Sequence, residues 1–382
     1  MDFTLTQDQK VFRNEIIRFA KKELNDGVIE RDRNQEFPHD LWLKCGEMGL
    51  QGLPVPEEYG GVGLDPLSTA LALEALGYGC EDGGLAFSIC AHLLACVIPI
   101  WKHGNDEQKA KYLPKLTDGT MIAVNAMSEP GSGSDAYAMK TRAVKDGDGY
   151  RINGTKIWST NGPVADLAVV YAVTDAEKGY YGGISIFLVE KDTPGFSPGQ
   201  KFEKMGLRTS PIGEIVLEDV WVPDSAMLGE VGAGTLIFTQ SMEWERVCIG
   251  AMHCGTMNRL MDKAIRYARQ RESFGQKISK YQAVSHKIVD MKIRLEAARL
   301  LAYKAATRLD KARDVAIDAS MTKVFISEAL VQTALDTVQI FGGNGFTTDY
   351  QVERTLRDAI GGKIYSGTNE VQRNILAKWL GL

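Results

Sequence analysis

The chain has 382 residues, 44% hydrophobic and 24% charged, with a formal net charge of −5. That length exceeds what one hydrophobic core normally holds, so two or three domains are expected. The acidic balance speaks against a nucleic-acid binder, which would carry a basic surface.

The opening residues, Met1-Asp2-Phe3-Thr4-Leu5, lead straight into a helical pattern with no basic-then-apolar signal segment. From 6 to about 116 apolar residues recur at three and four, as in Val11, Ile16, Phe19 and Ala20, which predicts amphipathic helices. Gly60, Gly61 and Gly63 break the pattern as a loop, and 67–76 resumes it. The stretch 83–100 is almost entirely apolar or small. Its length and the interruption at His92 predict a buried core helix and no membrane crossing. From about 120 to 230 the runs 167–173, 183–189 and 214–222 read as strands bounded by Gly, Asp and Pro, and 150–154 as a strand followed by a turn. Helical periodicity returns from 232, notably over 283–306 and 315–341, and no solenoid repeat is visible. Helices, strands, then helices predict an α+β multidomain chain divided at 1–119, 120–230 and 231–382.

Cys45, Cys80, Cys90, Cys96, Cys248 and Cys254 form no Cys-x-x-Cys pair and no zinc-spaced set, so reduced thiols, no metal and a cytoplasmic location are expected. The histidines at 39, 92, 103, 253 and 286 show no ligand spacing, and His92 and His253, in apolar stretches, read as satisfied core residues.

Four segments carry chemistry. In 128–135 (Ser-Glu-Pro-Gly-Ser-Gly-Ser-Asp), glycines let the backbone approach a flat ligand while Ser128 and Ser134 offer hydrogen bonds; alone it is an ordinary turn. Next, 156–162 places Trp158, Ser159 and Thr160 before a turn, which alone is a hairpin edge with a packed indole. The third, 271–275 (Arg-Glu-Ser-Phe-Gly) with Gln282 beyond it, alone is a solvated helix end. The fourth joins Gln339, the glycine-rich 342–345 and 364–373 (Ile-Tyr-Ser-Gly-Thr-Asn-Glu-Val-Gln-Arg), and a glycine-rich loop alone is weak evidence for phosphate.

In this order and at these intervals the four segments resemble the acyl-CoA dehydrogenase family over essentially the whole chain. The resemblance implies an N-terminal helical domain, a middle β-barrel-like domain and a C-terminal four-helix bundle, with FAD as cofactor. By resemblance, Met127, Ser128, Gly133, Ser134, Trp158, Ser159 and Thr160 line the flavin. Arg271, Phe274, Gln282, Gln339, Gly342 and Gly343 hold pyrophosphate and adenosine across a subunit boundary, which implies a homotetramer. Thr368 and Glu370 meet the cofactor's phosphates and ribose.

Most of the family abstracts the α proton of the thioester with the glutamate of a Tyr-Glu-Gly-Thr segment, which here reads Tyr365-Ser366-Gly367-Thr368. Serine cannot be that base at neutral pH. The isovaleryl- and long-chain acyl-CoA dehydrogenases place the glutamate on a distant helix beside an arginine. Glu245, followed by Arg246, falls on that position, whereas Glu243, two residues away, points to another helix face. Glu245 is therefore the expected base, with Ser134, Glu243, Arg246, Ser366 and Gly367 toward substrate. The segments 45–50, 241–246, 282–286 and 364–368 are also similar to the dehydrogenases of carrier-protein-bound prolyl groups in nonribosomal peptide and polyketide pathways. That resemblance implies a carrier-protein thioester substrate, with electron-transferring flavoprotein or oxygen as acceptor. The alternatives are a short- or branched-chain acyl-CoA dehydrogenase and, more remotely, a flavin monooxygenase or a non-catalytic member of the fold.

Overall fold

The computed structural model describes residues 4–312 and 314–382; Met1, Asp2 and Phe3, part of the N-terminal reading above, lie outside the described residues. The chain opens with helices α1 (Gln7–Glu23), α2 (Val28–Asn34), α3 (His39–Glu47) and α4 (Pro66–Gly79). Thr6 and Gln9 form a reciprocal capping box at the start of α1. Asp65 caps α4 by accepting from Leu67 and Ser68 N–H at 2.9 and 3.1 Å, with Pro66 in the first turn, where its missing N–H costs nothing.

α5 (Gly83–His92) runs through a π-helical turn at Leu93–Val97 into α6 (Ile98–His103), and α7 (Asp106–Thr117) follows. The buried core helix expected over 83–100 is present, but it is longer than expected and His92 does not break it. The combined helix is 21 residues long with a mean hydropathy of 2.0, enough to cross a bilayer, but 89% of its most apolar window is buried inside the fold. His92 does not interrupt it, because both ring nitrogens are satisfied: Nδ1 accepts from Ala123 N–H at 3.0 Å, leaving Nε2 to donate to the Leu116 carbonyl at 2.9 Å. A second helix, Val315–Phe341, also has the length and hydropathy of a membrane span, with 56% of its window buried.

The middle of the chain is a seven-stranded mixed sheet of β1 (Ala123–Ala126), β2 (Arg142–Asp146), β3 (Gly149–Thr160), β4 (Leu167–Val173), β5 (Ile184–Glu190), β6 (Phe196–Lys201) and β7 (Ile212–Pro223). β4 pairs with β1 in parallel and with β5 antiparallel, and β3 lies between β2 and β7. The end strands do not pair with each other, so the barrel-like sheet stays open. Alternation along β4 sends Leu167, Val169 and Tyr171 into the large helical core and Ala168, Val170 and Ala172 into a second core on the sheet's other side. The turn expected after 150–153 is instead a bulge: β3 continues past Gly154, whose φ of +157° brings its backbone where a Cβ would lie 2.2 Å from Thr141 Oγ1.

The last third consists of α8 (Gly234–Gln270), the hairpin β8 (Glu272–Ser273) and β9 (Gln276–Lys277), then α9 (Gln282–Arg308), α10 (Val315–Phe341), α11 (Gly343–Phe346), α12 (Val352–Gly361) and α13 (Asn369–Trp379). α8, α9 and α10 pack pairwise, and the fourth place in the bundle is shared by the short α12 and α13 against α10. α8 also lies against α4, where a Cβ on Gly77 would sit 2.0 Å from the Met252 carbonyl and one on Gly255 2.0 Å from the Glu74 carbonyl. Glycine at both points lets the two backbones touch, which fixes the height and rotation of α8.

Candidate active site

Fixing α8 points Glu245 inward. It is 8% exposed, and burial raises its carboxyl above the ordinary carboxylate value, opposed by the Ser366 hydrogen bond and the charge of Arg246. The Ser366 hydroxyl donates to Glu245 Oε1. Arg246 Nε donates to the Ser366 carbonyl at 3.1 Å. Ser366 and Gly367 both have positive φ, +57° and +80°. Among the described residues nothing accepts from their backbone N–H groups, so two adjacent donors are left for a ligand.

Glu243 faces a different neighbourhood, as its two-residue offset requires. It is half-buried, and desolvation, opposed by Arg246 and Lys102 and reinforced by Asp310, pushes its carboxyl up to about 7. Lys102 pairs with Asp310, which also accepts from Trp244 Nε1 at 3.1 Å. His253 does not compete as a base. Burial, then the charge of Lys323, holds its imidazole down at about 4, and its Nε2 bonds the Tyr365 hydroxyl at 2.8 Å.

The two segments expected at the flavin are brought together. Ile157 N–H donates to the Ser128 carbonyl at 2.9 Å. Beneath them Lys156, fully buried, donates to Glu129 at 2.9 Å and to the Met127 carbonyl at 3.1 Å. Glu129 in turn accepts from Lys140 and Thr141 N–H at 2.6 and 2.9 Å, which closes the loop that carries Gly133 and Ser134. A bulge between Lys156 and Ser159 puts Trp158 at φ +57° and turns its indole outward, 56% exposed and 4.8 Å from the Phe202 ring. Among the described residues the buried Ser159 hydroxyl has no partner, and a Cβ on Gly131 or Gly133 would meet only open space.

Next to Thr160, Asn161 Nδ2 donates to the Ser88 carbonyl at 3.1 Å. On the same helix, α5, the Phe87 ring lies 4.5 Å from Tyr365. The strand end expected at the flavin and the Ser366 turn therefore rest on one helix. Thr368 caps α13 by accepting from Val371 N–H at 3.3 Å, and Glu370 follows it on the surface.

Arg271, Phe274, Gln282, Gln339, Gly342 and Gly343 form a separate group at the far end of the bundle, all largely exposed. Between the two segments Tyr267 stacks its ring on Phe341 at 4.0 Å, and its hydroxyl accepts from Asn344 Nδ2 at 2.9 Å. Phe274, at the tip of the β8–β9 hairpin, is 96% exposed. Sequence reasoning missed Gln372, whose Nε2 donates to the Ser366 and Gly367 carbonyls at 3.3 and 3.1 Å. It also missed the Glu129–Lys156 pair, because a lysine inside an alternating strand and an acid in a turn both read as surface residues.

Comparison with known proteins finds one family over almost the whole chain. The N-terminal, middle and C-terminal domains of acyl-CoA dehydrogenases match residues 6–120, 125–220 and 232–381. An L-prolyl-[peptidyl-carrier protein] dehydrogenase from a Serratia species is 42% identical over 100% of this chain and 99% of its own length. An acyl-CoA dehydrogenase of Bacillus subtilis is also 42% identical, over 98% of each chain. The solved structure of PigA with FAD and proline superposes with a TM-score of 0.97 at 42% identity, covering 100% of both chains.

Proposed function

The chain belongs to the acyl-CoA dehydrogenase family, and we propose that it is an FAD-dependent dehydrogenase of a prolyl or related aminoacyl thioester held on a carrier protein. The observation that carries the chemistry is the buried Glu245 carboxylate against the Ser366 hydroxyl. Removing the α proton of a thioester requires a base with a raised pKa and donors for the carbonyl oxygen, on which negative charge grows. Glu245 supplies the base, and the N–H groups of Ser366 and Gly367 are the donors at hand. Arg246, gripping the Ser366 carbonyl, fixes their direction.

The residues fit FAD: open space beside Gly131 and Gly133, the orphaned Ser159 hydroxyl and the exposed Trp158 indole suit a flat ring with polar edges. Met127, Ser128, Gly133, Ser134, Trp158, Ser159 and Thr160 would hold the ring, and Thr368 and Glu370 the adjoining chain. FAD held there would supply the acceptor for the hydride that leaves the β carbon. A second subunit's Arg271, Phe274, Gln282, Gln339, Gly342 and Gly343 would complete the site, in a homotetramer. The final electron acceptor would be an electron-transferring flavoprotein or oxygen. The turn from helix to sheet after Thr117 and back to helix at Gly234 supports three domains at 1–119, 120–230 and 231–382. Six buried, unpaired cysteines support a reducing compartment, the cytoplasm.

The preference for a carrier-bound prolyl group rests on the Serratia relative and the PigA structure. The equal identity of the Bacillus acyl-CoA dehydrogenase favours an acyl-CoA, expected from the sequence to be short- or branched-chain, as the second reading. Mass spectrometry of prolyl-loaded carrier protein after incubation, beside an acyl-CoA panel, separates them. Loss of hydrogen from the carrier-bound group alone supports the first; oxidation of an acyl-CoA with an untouched carrier supports the second.

A further inference from the structure

We propose that Ser366 is a positioning residue for Glu245: a left-handed turn, clamped from behind by Arg246 and Gln372, delivers its hydroxyl to one carboxylate oxygen and fixes the direction in which the other oxygen faces substrate. The proposal rests on the reading of Glu245 as the base. Serine at this place is more than the absence of a glutamate, and three features of the turn say so.

The first is conformation. Ser366 has φ +57°, a region that non-glycine residues avoid, so surrounding structure must impose it. The second is the clamp. Gln372 is fully buried, donates to the Ser366 and Gly367 carbonyls at 3.3 and 3.1 Å, and accepts from the buried Ser320 hydroxyl at 3.0 Å. Arg246 Nε adds a third hydrogen bond, to the Ser366 carbonyl, at 3.1 Å. A Cβ on Gly367 would lie 2.7 Å from Gln372 Nε2, so the clamp closes only around glycine.

The third feature is what the turn accomplishes. Among the described residues, the Ser366 hydroxyl supplies the one hydrogen bond that the Glu245 side chain receives. The other titratable groups facing Glu245 are Cys90 on α5, Cys96 on the π-helical turn, Tyr171 on β4, and Tyr365. Burial raises all four, so they stay neutral and cannot fix a carboxylate by charge. Among the described residues Arg246 is the one cation acting on Glu245, and its Nε donates to the Ser366 carbonyl. A donor to the ionised form also favours ionisation, so removing the hydroxyl should make the base harder to deprotonate.

The test is anaerobic flavin reduction by substrate, measured per bound FAD across pH, for wild type, Ser366→Ala, Ser366→Gly and Glu245→Gln. Wild-type reduction rises with pH as the base ionises. Ser366→Ala should keep its FAD and thermal midpoint, move the rising limb up by about one pH unit and lower the plateau roughly tenfold. Ser366→Gly, which suits φ +57° better than serine, should show the same displacement and so separates the hydroxyl from turn strain; it also decides the matter should the alanine variant fold poorly. Wild-type limbs and plateaus in both variants overturn the proposal. If Glu245→Gln also reduces at the wild-type rate, the failure lies in the assignment of the base; if it is inactive, only the role of Ser366 falls.

Discussion

The base pocket and the hairpin end of the bundle are built in opposite ways. Around Glu245 the chain supplies its own partners: the Ser366 hydroxyl, the Arg246 guanidinium and, behind them, Gln372. At the far end of the bundle large side chains stand in the open, with Phe274 of the β8–β9 hairpin 96% and Phe346 of α11 87% exposed. Large apolar side chains held out by an ordered hairpin and loop are the mark of a surface meant to be covered. On the proposed function the contrast means that proton abstraction would be organised within one subunit, whereas retention of the cofactor's far end would depend on a second.

Breaking the buried foundation of the flavin-side loop should have the largest effect on this contrast. Lys156→Met removes the cation from a buried pair and leaves Glu129 uncompensated, which typically costs about 3–5 kcal/mol. Calorimetry should show a strongly lowered Tm and absorbance a loss of bound FAD; an unchanged Tm would mean that the loop is held by its backbone bonds alone.

At the open end the cost should fall on assembly. Phe274→Ala is expected to leave the Tm of the isolated fold intact while weakening oligomer and FAD affinity by about 2 kcal/mol. Light scattering over a concentration series, with parallel flavin titration, reads both. Wild-type assembly in this variant would remove the hairpin from the interface.

A smaller effect sharpens the comparison inside the pocket. Glu243 is held near 7 against an ordinary 4.5, so between those values the folded chain binds more protons than the unfolded one. Its favourable contribution is present below about 4.5 and is lost as pH rises through about 7. Glu243→Gln should therefore raise Tm by on the order of a few degrees at alkaline pH and leave it unchanged in acid. A Tm difference that is the same at both extremes contradicts this.

Much of this was legible in the sequence, for identifiable reasons. Periodicity located the helical thirds, and β-rich runs bounded by Gly, Asp and Pro located β4, β5 and β7, because each has a face or two committed to a core. The vacancy at Ser366 and the acid at Glu245 could be paired without coordinates, since resemblance fixes both positions. The bulge at Gly154, the outward Trp158 and the unbroken Gly83–His103 helix were not legible. Each depends on backbone torsion or burial, to which residue order gives no direct access. Gln372 was invisible for the same reason: a glutamine in the first turn of a helix looks solvated until the Ser366 turn is seen folded over it.

The central claim, that Glu245 removes the α proton, is tested most directly by anaerobic stopped-flow reduction of the flavin in Glu245→Gln and Glu243→Gln with the thioester substrate. Glutamine keeps shape and hydrogen-bonding reach but cannot accept the proton. The account predicts that Glu245→Gln retains its FAD and slows by roughly a hundredfold to ten-thousandfold, the usual cost of losing a general base, while Glu243→Gln stays near wild type. Reduction of the Glu245→Gln flavin at close to the wild-type rate would place the base elsewhere and contradict it.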